Sequence, residues 1–168
     1  MRKTLMMAAL GAGLLAGCAG QTVQSSFEPV GYRSVERTDP TLTSSSSVAE
    51  IGPVLNAFRS AQQRGTLTRV AALDQAARAH ARDMVRNNFF EHTGSNGSTV
   101  SDRVRKAGYS YCLVAENLAY GQKDVQAAMD SWEKSPGHRR NLLNPQLREF
   151  GFAREGLYWV MVLGNPGC

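Results

Sequence analysis

The sequence predicts an α/β layered domain, on three observations. Apolar residues recur at spacings of three and four through most of the region from Val48 to Lys134, the mark of amphipathic helices. Two short apolar segments near the end, "REFGFAR" and "LYWVMVLG", read instead as strands, and Glu155-Gly156 between them suits a tight hairpin turn. Helices precede and interleave with these strands rather than standing apart from them, which favours helices layered on a sheet that contains the C-terminal hairpin.

Ahead of that domain, Arg2 and Lys3 precede an apolar run from Leu5 to Ala16, followed by Gly17-Cys18. The run is shorter than the roughly 20 residues that cross a bilayer and has the layout of a secretory leader. Leu15-Ala16-Gly17-Cys18 resembles the bacterial lipobox, so residues 1–17 read as a lipoprotein signal peptide and Cys18 as the lipidated residue, anchoring the chain to a membrane. Ala19, where an Asp would retain the protein at the inner membrane, favours the outer membrane by resemblance to that sorting pattern. Residues 18–47 hold only Phe27 and Tyr32 of the thirteen aromatics and end in four serines. They bury too little apolar surface to fold alone and read as a flexible tether of roughly 30 Å. Residues 48–168 then form one domain of ordinary size.

The first helix is expected over Val48–Gln63, with Ile51, Leu55 and Phe58 on one face and Gly65 beyond its end. The second spans about Val70–Asn88, with Leu73, Ala76, Ala77, His80, Ala81, Met84 and Val85 as its inward stripe and Arg78, Arg82 and Arg86 largely off it. His80, alone on that stripe, reads first as a hydrogen-bonded core histidine. A short helix over Thr99–Lys106 starts at Thr99 or Ser101 and stops at Gly108. "CLVAENLAYG" reads as a strand or extended segment. Asp124 caps a helix over Val125–Lys134, whose stripe is Val125, Ala128, Met129 and Trp132. Ser135-Pro136 then starts a further short helix that places His138 in its first turn.

Charge and cysteines narrow the function classes. The formal charge is +5 and falls by two when Arg2 and Lys3 leave with the leader. An exported, mildly basic chain has little access to nucleic acid, and an anionic envelope polymer is the natural electrostatic partner. With Cys18 lipidated, Cys112 and Cys168 remain as an even pair in an oxidising compartment, which favours a disulfide. No GxSxG elbow, HExxH helix, phosphate loop or dinucleotide fingerprint occurs.

The remaining chemistry rests on titratable residues in unusual settings. Glu116 lies within the apolar "LVAENLA", and a buried carboxylate needs an arginine, backbone amides or a histidine as partner, or else keeps its proton. His92, in "FFEHTGSNGST", follows two aromatics onto a loop, either at a cleft mouth or merely solvated. Glu133 sits at the edge of the Trp132 face. His138, near a helix N-terminus, is held neutral and so competent to bind metal, or is structural.

In "LNAFR", "LDQAARAHARDM", "FFEHTGSNG", "RVRKAGY", "AENLAYG", "AMDSWEKSPGHRRNLLNP" and "GFAREGLYWVMVLG", taken in order, the sequence resembles the CAP superfamily, also called the SCP or pathogenesis-related-1-like domain, in its bacterial lipoprotein branch. The resemblance implies a three-layer α-β-α sandwich with a small central sheet and a cleft holding two histidines and two acids. His92 and His138 match the histidines and Glu116 one acid. Many relatives outside bacteria carry the second acid three residues after the tryptophan, where Ser135 stands here, so Glu133 is the candidate for that place.

Three readings follow. The first is a non-enzymatic, envelope-tethered binding module whose His92, His138 and Glu116 hold zinc or another divalent metal, or whose cleft takes a lipid or envelope component. The second is a metal-assisted hydrolase of envelope peptides or glycans, with Glu116 or Glu133 as general base. The third is a structural domain that recruits another envelope protein.

Overall fold

A computed structural model describes residues 40–167, with side chains from Ile51 onward. The expected leader, Cys18, most of the tether and Cys168 lie outside the described residues. Helix α1 runs Pro40–Ala61, β1 Thr68–Arg69, α2 Ala71–Asn87, α3 Val100–Lys106, β2 Tyr111–Tyr120, α4 Val125–Lys134, α5 Pro136–Leu142, β3 Glu149–Glu155 and β4 Tyr158–Pro166. Among the described residues no helix is long and apolar enough to cross a membrane.

Two boundaries depart from expectation. Helix α1 begins at Pro40 rather than Val48, so residues 40–47 are helical. A Ser/Thr-rich segment has no apolar stripe to reveal a helix, and proline at its first position forgoes only an N–H that has no intrahelical partner. Strand β1, two residues long, is too short to leave a periodic signal. Elsewhere the local signals act as read. Thr99 forms a reciprocal capping box with Asp102 at the start of α3, and the Asp124 side chain accepts from the Ala127 N–H at the start of α4. Ser135 stands at the N-cap of α5 but makes no side-chain cap bond, leaving Pro136 at the first turn as the start signal.

The strands form one sheet in the order β1-β3-β4-β2, with β1 parallel to β3 and the other pairs antiparallel. Side chains alternate across it. Phe150, Phe152, Trp159, Met161 and Leu163 pack with α1, α4 and α5 residues such as Ile51, Leu55, Trp132 and Leu142. Ala153, Val160, Val162 and Leu118 pack on the other face with Leu73, Ala77 and Met84 of α2 and Val104 of α3. The result is a three-layer α-β-α sandwich with two apolar cores. Each fully buried Leu, Met or Phe stabilises such cores by about 1.5–3 kcal/mol. All the inward residues expected of α2 are buried except Val85, which is 46% exposed. At Gly151 an added Cβ would lie 2.0 Å from the Leu73 carbonyl carbon, so glycine is what lets α2 lie this close on β3.

Strand β2 is an edge strand, and it divides the layers residue by residue. Leu113, Ala115 and Ala119 join the α1/α4/α5 core, whereas Val114 and Leu118 join the α2/α3 core. Glu116 follows the second set and Asn117 the first.

Candidate functional site

Glu116 projects from β2 toward the α2/α3 layer, its side chain 2% exposed. One oxygen accepts from His92 Nδ1 at 2.9 Å and the other from Arg103 Nη2 at 2.8 Å. His80 Nε2 stands 3.9 Å from the first oxygen and bonds the Glu91 carbonyl at 2.9 Å. The buried carboxylate is therefore compensated by a guanidinium and an imidazole, as burial of a charge demands.

The sequence accounts for each partner. Arg103 belongs to α3, whose capping box fixes where the helix begins. Its other bonds, Nη1 to Ser98 O at 2.8 Å and Nη2 to His92 O at 3.0 Å, hold the segment that carries His92. The loop is closed from the opposite side by Asp83 of α2, which accepts from the Ser95 N–H at 2.8 Å and the Ser95 hydroxyl at 2.6 Å. Burial raises the Asp83 carboxyl, but bonds from Ser95 and Asn87 outweigh that and hold it below its ordinary value. Gly97, with φ of +80°, supplies the left-handed residue that the turn requires.

His92 is presented to solvent, its side chain 60% exposed. Because Nδ1 donates to the carboxylate, the neutral ring turns an unprotonated Nε2 away from Glu116. His80 is fully buried. Its pKa lies below the ordinary value, chiefly through burial and against the pull of Glu116. A carbonyl only accepts, so Nε2 carries the proton and Nδ1 is a bare acceptor with no partner.

Asn117, the next residue, is fully buried on the other side of β2. Its Nδ2 donates to the His138 carbonyl at 3.2 Å, and its Oδ1 accepts from Asn141 Nδ2 at 2.9 Å. These bonds bring α5 to the same sheet edge. Trp132 of α4 helps, donating from Nε1 to the Leu118 carbonyl at 2.9 Å. Arg59 of α1, buried, donates to the Leu142 and Asn144 carbonyls at the far end of α5, a cation where the helix dipole is negative. The half-buried His138 imidazole is held below its ordinary pKa, first by burial and then by the nearby His92. Both histidines thus stand at one edge, reached from opposite layers.

The structure brings together His92, Glu116 and His138, and leaves Glu133 apart. Among the described residues no hydrogen bond or ion pair joins Glu133 to the other three. Its carboxyl is raised by burial and then by Asp130. Nor do three or more His, Cys, Asp or Glu side chains converge on a metal-holding point among the described residues. With both Glu116 oxygens engaged by protein, the nitrogen donors left for a cation are His92 Nε2 and the His138 ring.

Two residues, Arg103 and Asn117, had no role assigned in the sequence. Both lie in segments that resemble the family, "RVRKAGY" and "AENLAYG", and for Arg103 the only signal of a role was that a buried carboxylate needs a cation. His80, read as a core histidine, is one, but it faces Glu116 rather than apolar neighbours alone. Arg139, the residue after His138, lies over the Phe58 ring at 5.2 Å and bonds Gln62, tying α5 to α1. Cys112 is exposed in β2, where the register with β4 shifts, with its Sγ 3.9 Å from the Pro166 carbonyl.

Residues 54–160 match the family model of the cysteine-rich secretory protein family, CAP. The chain is 32% identical over 131 residues to YkwD, an uncharacterised protein of Bacillus subtilis strain 168, an alignment covering 74% of this chain and 51% of YkwD. It is also 32% identical over 86 residues to YlbC, an uncharacterised membrane protein of the same organism, covering 51% of this chain and 25% of YlbC. The chain thus spans about half or less of these relatives' lengths. Among solved structures, an extracellular protein containing an SCP domain from Bacillus anthracis str. Ames aligns with a TM-score of 0.70 and 28% identity, over 73% of this chain and 41% of that one. An outer surface protein of Borrelia burgdorferi aligns with a TM-score of 0.68 and 22% identity, over 73% and 94% of the two chains, and shares the fold.

Proposed function

Because this chain belongs to the cysteine-rich secretory protein (CAP) family, we propose that it is an exported envelope binding module whose His92–Glu116–His138 edge takes a divalent cation such as zinc. Glu116 orients His92 from behind, in the manner of a carboxylate–histidine–metal relay, and His92 and His138 supply the nitrogen ligands. When bound, the cation provides open coordination positions for a small envelope ligand. The observation that carries this reading is the fixed His92 tautomer, its Nδ1 engaged by a buried carboxylate. Binding is favoured over hydrolysis because Glu116, held at both oxygens, is a poor water-activating base. Export is supported by the leader and by the extracellular and outer-surface relatives. Lipid on Cys18 and placement at the outer membrane complete the reading, as does a Cys112–Cys168 bridge at the end of β2.

The test is metal analysis of the full-length chain after dialysis against zinc and then buffer. Wild type retains about one equivalent, and a His92→Ala/His138→Ala double variant retains none. Equal retention by the two discards the metal site. Incorporation of labelled fatty acid that vanishes in Cys18→Ser tests the anchor separately.

The alternative, a metal-assisted hydrolase of envelope peptides or glycans, draws on the raised Glu133 carboxyl, a property suited to a general acid or base. Turnover of cell-wall fragments that is lost in Glu133→Gln would replace binding with that reading.

A further inference from the structure

Four large apolar side chains stand exposed among the described residues: Val85, Phe90, Tyr120 and Leu157, each 45–49% exposed. They gather at one end of the sheet. The Phe90 ring lies 5.8 Å from Tyr120 and 6.3 Å from the half-buried Tyr158, and the two tyrosine rings are 4.8 Å apart. Leu157 sits at the β3–β4 turn beside Tyr158, and its carbonyl accepts from the Gly121 N–H at 2.9 Å, next to Tyr120. Val85 lies about one turn beyond Arg82 on α2, and Arg82 bonds Glu155 of the same hairpin at 3.0 Å. Arg154 ties the hairpin to the loop after β2, donating to the Gly156 carbonyl at 3.0 Å and the Lys123 carbonyl at 3.4 Å. The apolar tips are thus held outward by hydrogen-bonded turns, at positions where turns are ordinarily polar.

We propose that this end of the domain is a docking surface for an anionic phospholipid bilayer. Area, shape and charge select that occupant. Half exposed, the four side chains present roughly 400 Å², about half the ~800 Å² that each partner gives to a stable protein interface. The three rings are inclined at 47–69° to one another, so they offer no common plane on which a sugar ring could stack. Leucine and valine beside them suit acyl chains, and a tyrosine at such a boundary places its ring among the chains and its hydroxyl among the headgroups. Around the tips three cations, Arg82, Lys123 and Arg154, face two anions, Glu155 and Asp124, and Lys123 is 86% exposed. The docking rests on the proposed Cys18 anchor for proximity alone. Residues 18–39, read as a coil, reach roughly 25 Å, so a lipid on Cys18 raises the effective concentration of a contact that is weak by itself. Phe90 stands two residues before His92, so the docked domain holds its cation site close to the lipid surface.

The experiment is vesicle flotation, without zinc, of the chain beginning at residue 18 with Cys18→Ser. That chain lacks leader and lipid and keeps both cores intact. Vesicles of phosphatidylethanolamine and phosphatidylglycerol are expected to carry it upward, and binding is retained at high salt, where surface charge is screened. Leu157→Asn, with wild-type melting retained, weakens binding at least about tenfold. Phe90→Ser has the same effect and serves if the first variant fails to fold. No flotation, flotation unchanged by both variants, or binding abolished by salt would each overturn the proposal. A dimer in sedimentation velocity without lipid, dispersed by Leu157→Asn, would also overturn it and assign the patch to a second copy. The anchor fails separately, because this chain carries no lipid and fatty-acid incorporation does not depend on Leu157.

Discussion

The two faces of β2 at Glu116 and Asn117 solve the same problem with different chemistry. On one face a carboxylate, a guanidinium and two imidazoles gather, and on the other two amides bond each other and a backbone carbonyl. Each residue draws in one half of the site: Glu116 the His92 loop, Asn117 the helix of His138. The charged half fixes the orientation of a ring, whereas the neutral half fixes only the position of a helix. A buried charge that loses its partner is far more costly than a buried amide that does, so the two halves should break with different severity.

The largest effect is expected from Glu116→Ala. It strands Arg103 without its anion, and removing one partner of a buried pair destabilises by about 3–5 kcal/mol. Urea unfolding checks the total, and faster amide exchange across residues 92–98 checks that the loop is what loosens. Glu116→Gln keeps the shape and one acceptor, and should lose less. A cost below about 1 kcal/mol for Glu116→Ala would mean that the guanidinium finds water and that the carboxylate is not the fastener. Asn117→Ala is expected to cost about 1–3 kcal/mol, from leaving the His138 carbonyl and Asn141 amide unmet. Its exchange signature should fall on α5 and spare the His92 loop. Loosening of both segments by either variant would show the halves to be one unit.

Acid sharpens the contrast in a different way. His80, beside the carboxylate, and His138, on α5, both sit below their ordinary pKa because burial disfavours the charged ring. An unfolded chain takes up those protons first, near pH 6.5. Stability is therefore complete above that value and declines as pH falls toward the folded pKa values. Melting temperature followed from pH 8 to pH 5 should fall on the acid side. His138→Asn should flatten the part that belongs to α5, leaving the His80 part in place. A wild-type profile that is level across this range would contradict the neutral assignment of both rings.

Much of this architecture was legible because it rests on short-range rules. The stripe of α4, the caps at Thr99 and Asp124 and the apolar character of β4 each follow from a few neighbouring residues. Glu116 stood out for the same reason, as a carboxylate where strand residues are apolar. What could not be read was partnership across the fold. Arg103 meets Glu116 from thirteen residues away and Asn117 meets the His138 carbonyl from twenty-one. Nothing in "RVRKAGY" distinguishes Arg103 from Arg105, yet one is buried on the carboxylate and the other lies over the Tyr111 ring. The start of α1 escaped for the opposite reason, since a serine-rich helix shows no periodicity at all.

The smallest effect is expected at Glu133, and it decides how far the site extends. Its neighbours Trp132 and Met129 are fully buried, but its own carboxylate makes no bond to either histidine among the described residues. Burial and Asp130 raise its pKa, with Arg139 and Lys134 opposing. A group held only by opposing long-range charges contributes little, so Glu133→Gln should change stability by no more than about 0.5 kcal/mol. Zinc retention should also stay at the wild-type level, measured beside the double-histidine variant. A loss of zinc affinity of tenfold or more, about 1.4 kcal/mol, would instead make Glu133 a fourth member of the edge. The His138 half would then hold a charge of its own, and the contrast between the two faces of β2 would apply to the anchoring residues but not to the site they build.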